Sequence, residues 1–256
     1  MALFDMHCHL AFLPAGEEEA RCRFVDGFLN CTVTPGEFAV ARERFAADER
    51  ICTAVGLHPW YVPADPADAL RAADAVCELI TPHAPIGEVG LDFGPRHAST
   101  RDAQVAAFSR IATRAAEAGG CVLSLHSVQA TSTVLDILDE SGFFASGGNA
   151  IFHWYSGSSD HLQRALRAGA LFSVNPRMLL TKRGREYARI IPSGRLLTET
   201  DLPAEDGTQP DAFSPVLAQL VQDMAELRQV EAALLADVIE SNARGIFASV
   251  RGKDIP

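Results

Sequence analysis

Lysine is nearly missing from this chain. Lys182 and Lys253 are the two, against twenty arginines in 256 residues. Neither falls in a strand-like run, which excludes a metal pair bridged by a carboxylated strand lysine. No stretch of about 18 apolar residues occurs, so no membrane-spanning helix is expected. The N-terminus has neither the basic nor the apolar region of a signal peptide, and a cytoplasmic location is the expectation. The six cysteines are Cys8, Cys22, Cys31, Cys52, Cys77 and Cys121. None stands in a Cys-x-x-Cys pair or at zinc-finger spacing, so they read as reduced, mostly buried thiols. A Gly-x-Ser-x-Gly elbow, a Walker loop and a Gly-x-Gly-x-x-Gly fingerprint are all absent, which removes the usual serine nucleophile and nucleotide cofactors. Positive charge is also scarce: 22 Lys and Arg against 33 Asp and Glu leave a formal charge of -11. A broad basic coat along long nucleic acid is therefore excluded, whereas a site gripping one strand end is not.

What is present is an ordinary globular composition, 48% hydrophobic and 21% charged, with enough chain for one α/β barrel. Short apolar runs that read as buried parallel strands recur at 3–8, 27–33, 51–57, 86–91, 121–126, 149–153, 170–174 and 195–200. Helix-like segments such as 66–80, 100–118 and 132–139 separate them, and two more, 214–228 and 231–247, close the chain. Eight strands alternating with helices predict an α/β fold of the TIM-type (β/α)8 barrel, a single domain over residues 1–250 with a frayed tail at 251–256. A monomer is the default expectation.

Chemistry concentrates where the apolar runs end. In Asp5-Met6-His7-Cys8-His9, strand alternation turns His7 and His9 to one side and Cys8 to the other. Glu88 lies within Ile86–Asp92, His126 closes 121–126, His153 closes 149–153, and Asp201 follows Leu196–Thr200. A carboxylate within a buried strand is costly unless it is paired or binds metal. A barrel brings these ends to one mouth. Four histidines and two carboxylates exceed what one catalytic zinc needs and suit two divalent ions.

Six motifs in order carry a resemblance over nearly the whole chain: Asp5–His9, Gly56-Leu57-His58-Pro59, Ile86–Phe93, Leu125-His126-Ser127, Phe152–Ser158 and Glu199-Thr200-Asp201-Leu202-Pro203. On these the chain resembles the TatD-family metal-dependent deoxyribonucleases. The resemblance implies a divalent-metal-dependent hydrolase of phosphodiester bonds, a 3'-5' exonuclease on single-stranded DNA ends. It implies two divalent ions, Mg, Mn or Zn. His7 and His9 would hold one, His126 and His153 the other, and Glu88 would bridge. Asp201 would bind metal and take a proton from the attacking water. His58 would contact the scissile phosphate, and Asp92 would lie beside the pocket. Three departures stand out: Met6 lies between Asp5 and His7 where Ser or another small residue is frequent, Val128 follows His126-Ser127 where many relatives carry Arg, and Trp154-Tyr155 stands where His-x-Phe is common.

Period two also puts Asp5 and Glu199 one layer below His7 and Asp201, as groups that orient the ligands or pair with a buried arginine. A substitution of Asp5 is expected to weaken metal affinity roughly tenfold or more. Arg177, Lys182, Arg183, Arg185 and Arg189 form a basic cluster beyond strand seven that reads either as a loop, where Arg183 and Arg185 are candidates for guiding a phosphate backbone, or as a solvated helix face. Two other readings stay open: hydrolysis of a small phosphoester, amide or lactone, and a metal-binding scaffold without turnover.

Overall fold

Eight strands run parallel in chain order: β1 (Phe4–Cys8), β2 (Gly27–Cys31), β3 (Ile51–Ala54), β4 (Pro85–Asp92), β5 (Val122–Val128), β6 (Asn149–His153), β7 (Leu171–Val174) and β8 (Leu196–Thr198). Nine α-helices lie between and after them among the described residues: α1 (Glu18–Arg21), α2 (Pro35–Arg44), α3 (Pro66–Cys77), α4 (Arg101–Ala118), α5 (Thr131–Glu140), α6 (Ser159–Ala168), α7 (Lys182–Ile190), α8 (Phe213–Arg228) and α9 (Ala232–Val250). The computed structural model describes residues 1–204 and 209–251. Of the expected tail only Arg251 is described; its guanidinium donates to the Glu49 carbonyl at 2.6 Å, and the remainder lies outside the described residues.

Continuous ladders join β1-β2-β3 and β4 through β8. At one seam Val55 bridges Ile86, Thr32 N donates to Gly87 O and Glu88 N donates to Thr32 O, both at 2.9 Å. At the other, Asp201 N donates to His7 O at 2.9 Å, and the Thr198 hydroxyl to Phe4 O at 2.7 Å. These seams explain why β2, β3 and β8 end earlier than their apolar runs suggest: residues 32, 55 and 200–201 leave their own ladders to bond across. One cluster packs α9, through Ala243, Ile246 and Phe247, with residues from every strand except β4, as an enclosed barrel allows. The fold is the TIM barrel of the sequence reading.

Gly56 permits the close approach at the first seam, where any Cβ would overlap the Thr32 carbonyl and the Glu88 amide. Gly90, at φ +136°, lets β4 pass the backbone of His126. The basic segment after β7 is a helix rather than a loop. Thr181 caps α7 by accepting from Gly184 N at 2.9 Å, and Tyr187 and Ala188 anchor it in the core. Ser158 starts α6 in the same way, at 3.2 Å from His161 N. Both helices are short and amphipathic, and a side-chain cap marks the start of each.

Candidate metal centre

Period-two strands deliver their polar ends to one place. β1 and the residue after it carry His7 and His9, β4 carries Glu88, β5 His126 and β6 His153, and the turn after β8 carries Asp201. Glu88 is 2% exposed and is the hub. Its Oε1 lies 2.7 Å from His126 Nδ1, 2.9 Å from His153 Nε2 and 3.3 Å from His58 Nε2. Its Oε2 lies 3.2 Å from His7 Nε2 and 3.4 Å from His9 Nε2. Asp201 Oδ1 is 3.5 and 3.4 Å from the same two nitrogens. All six expected residues therefore converge, and His58 joins them.

Behind each ring stands a partner for its other nitrogen. His9 Nδ1 donates to the Cys31 carbonyl at 3.1 Å, which leaves Nε2 facing the centre. His7 Nδ1 pairs with Ser124 Oγ at 2.7 Å, and His126 Nε2 with Asp92 Oδ2 at 3.2 Å. His153 Nδ1 points at Glu199 Oε1, 3.5 Å away. Glu199 also accepts from Trp154 N and Asn175 Nδ2, both at 3.0 Å, and from Ser173 Oγ. It is thus a backing group, as period two suggested. Asp5 accepts from Thr200 N at 2.9 Å and Thr200 Oγ1 at 2.6 Å, and among the described residues no arginine pairs with it; it holds the residue next to Asp201.

The charge states follow. Burial lowers the basicity of His9, but Asp201 and Glu88 outweigh it and raise its pKa to about 10. His126 and His153 are likewise raised against burial, by Asp92 with Glu88 and by Glu88 with Glu199. For His58 burial wins and the pKa falls to about 4, so the ring is neutral. Its Nδ1 accepts from Trp60 N at 3.2 Å, so Nε2 bears the hydrogen and faces the centre as a donor. Burial raises Glu88 and Asp201, but the surrounding imidazoles outweigh it and keep both ionised. Burial lifts Asp5 to about 8.

Five imidazoles around one carboxylate exceed what its lone pairs can satisfy. His7 Nε2, although 3.2 Å from Glu88, lacks hydrogen-bond geometry, and it and His153 Nδ1 are buried without a hydrogen bond among the described residues. A cation at the centre would satisfy His7 Nε2, which faces the hub, whereas His153 Nδ1 faces Glu199. Three sets offer ligand atoms within 4.8 Å of one another: His7, His9 and Asp201; His7, His153 and Glu199; His58, Glu88 and His126. The donor set of imidazole and carboxylate suits a divalent ion.

The centre opens into a cavity of about 700 Å³. Of the expected substrate residues His58 lines it, whereas Asp92 stands behind His126 and also accepts from Trp60 Nε1 at 2.7 Å. Burial raises the Asp92 pKa, and the donors from His126, Trp60 and Gly94 outweigh it and hold the group ionised. Arg183 donates to the carbonyl of the rim residue Ser156 at 3.3 Å, and Arg185 is exposed on α7 away from the lining. The arginines in the lining are Arg96 and Arg177, beside Trp60, Trp154 and Val128. Sequence reasoning passed over Ser124, which shares the face of His126 by the same period of two. It had no signal for the Cys31 carbonyl, a backbone group.

Residues 4–248 match the model of the family described as TatD related DNase. The chain is 33% identical over 172 residues to the 3'-5' ssDNA/RNA exonuclease TatD of Enterobacter lignolyticus, a match spanning 63% of this chain and 65% of that protein. It is 28% identical to the metal-dependent hydrolase YabD of Bacillus subtilis across 96% of this chain and 98% of the relative. Among solved structures, the TatD homolog YJJV of Escherichia coli superposes with a TM-score of 0.76 at 20% identity, covering 99% of this chain and 98% of the other. An amidohydrolase of Saccharomyces cerevisiae gives 0.78 at 19%, covering 96% and 100%. The chain belongs to the TatD related DNase family.

Proposed function

We propose that this protein is a 3'-5' exonuclease that removes nucleotides from single-stranded DNA ends, using two divalent ions held around Glu88. The observation that carries the reading is the double shell: each of His7, His9, His126 and His153 turns one nitrogen to the Glu88 hub and the other to a backing group. Histidine ligands of metals are oriented in this way. His7, His9 and Asp201 would hold one ion, His126 and His153 the other, with Glu88 between them. Bound there, two ions supply the charge that activates water and stabilises a leaving oxygen.

The chain's own groups supply the rest. Asp201 has the most exposed side chain of the cluster, at 18%, and stays ionised, so it takes the proton of the attacking water. Neutral His58 presents its Nε2 hydrogen to a phosphate oxygen. Asp92 orients both His126 and Trp60. Arg183, fixed at the rim by Ser156, and Arg185 on the same helix would meet the strand outside the cavity. The six free thiols fit a reducing compartment, consistent with the cytoplasm. Val128 in the lining, where many relatives carry Arg, favours a small phosphoester as the second reading.

The test is hydrolysis of labelled single-stranded DNA by chelator-stripped protein with Mg, Mn or Zn added back. Stepwise shortening from the 3' end is expected, and Arg183→Ala with Arg185→Ala should raise KM. Hydrolysis of a small phosphodiester without any shortening of DNA would establish the second reading instead.

A further inference from the structure

The chain contains two tryptophans, and both line the mouth of the cavity. Trp60 lies parallel to His97, with ring centroids 5.2 Å apart and planes 8° apart, and is 50% exposed. Its indole N–H is fixed on Asp92, the carboxylate behind His126. Trp154 follows His153 directly and adopts φ +39°, a conformation that bulky side chains rarely take and that marks a functional constraint where the surroundings enforce it. Here the enforcing group is Glu199, which accepts from Trp154 N while facing His153 Nδ1. The exposed Arg177 guanidinium sits 5.4 Å over the Trp154 ring. The Trp60 indole and the Trp154 backbone amide are therefore each held by a carboxylate that backs a neighbouring imidazole of the hub, which ties both residues to the reacting centre.

We propose that Trp154 with Arg177, together with Trp60, forms a nucleobase-stacking subsite that selects unpaired strand ends, an inference that rests on the nuclease reading above. Aromatic faces bind bases of any sequence once these are unstacked, and guanidinium groups add charge for the phosphates. A protein with net charge -11 gains little from general phosphate attraction, so stacking at the mouth replaces the basic groove. A base inside a duplex cannot offer both faces to such a site. Val128 brings no charge to the lining, and Arg177 and Arg96 supply cations elsewhere in it.

Because both indoles sit at the mouth, intrinsic fluorescence reports occupancy without turnover. Metal-free protein is titrated with a single-stranded thymidine oligomer and with one of equal length whose last two 3' residues are abasic. The normal oligomer should quench the emission, and the abasic one should not. With metal restored, Trp154→Ala and Trp60→Ala should each raise KM for the normal oligomer about tenfold, equivalent to about 1.4 kcal/mol, and raise KM for the abasic substrate far less. Trp154→Phe should restore most of the loss, which a folding defect would not allow. Equal quenching by both oligomers, no quenching by either, or equal KM increases on both substrates would overturn the subsite. Absence of any phosphodiester hydrolysis by wild type would overturn the nuclease reading, a separate result.

Discussion

Replacing Glu199 by Gln isolates the role of its charge. Glu199 is fully buried, and Oε1 accepts from Trp154 N and Asn175 Nδ2 while facing His153 Nδ1. Oε2 accepts from the Ser173 hydroxyl. A glutamine oxygen must occupy the Oε1 position, since an amide NH2 there would meet three donors. The NH2 then faces Ser173, whose hydroxyl can turn to accept. Shape and bond count survive, and the loss is the difference between charge-assisted and neutral hydrogen bonds, about 1 kcal/mol of stability. Metal affinity should fall more, by roughly 10- to 100-fold, because the ring facing the centre loses its carboxylate. Glu199→Ala would instead orphan buried donors at about 1–3 kcal/mol each and should lower Tm severely. Zinc competition against a calibrated chelator, with thermal melting of the metal-free forms, separates the two effects. Wild-type zinc affinity in Glu199→Gln would refute the reasoning and leave Glu199 as a structural acceptor for Trp154 alone.

Three further outcomes follow from the same geometry. Asp5→Ala removes the acceptor for Thr200 N and Oγ1 and should weaken metal affinity roughly tenfold through Asp201; unchanged affinity by the same chelator assay would exclude that link. His9, with its pKa raised to about 10, contributes stability to the metal-free protein that is complete below about pH 6.5 and lost as pH rises through about 10. Metal binding at pH 7 must then release protons and strengthen with pH, and calorimetry in buffers of different ionisation enthalpy should show it; buffer-independent heats would contradict it. Burial pushes Cys22 to about 12 and Cys52 to about 11, so native protein at pH 8 should react slowly with a thiol reagent and denatured protein should titrate six thiols.

Much of this was legible in the sequence because buried parallel strands are short apolar runs, and a polar residue that ends one has a single place to go. His7, His9, Glu88, His126, His153 and Asp201 meet as the barrel requires. The ladders of β2, β3 and β8 fell short of their apolar runs because Thr32, Val55 and Asp201 bond across the seams, a tertiary effect without a local signature. Charges left the basic segment open between a loop and a solvated helix face, and the Thr181 cap with the buried Tyr187 and Ala188 marks the helix. Of the basic cluster Arg177 lines the cavity while Arg183 and Arg185 do not; Arg96, which follows β4, lines it too, and no spacing links it to Arg177. Asp92 was placed by motif beside the pocket; its hydrogen bonds from His126 and Trp60 put it behind His126, where only side-chain geometry could locate it.

The proposed function requires two divalent ions held around Glu88. The most direct test is a metal titration of chelator-stripped protein, following the initial rate of single-stranded DNA hydrolysis in wild type and Glu88→Ala. The rate should be absent without metal, rise to a plateau near two equivalents in wild type, and stay at background in Glu88→Ala. A plateau at one equivalent, activity in the stripped protein, or an active Glu88→Ala variant would contradict it.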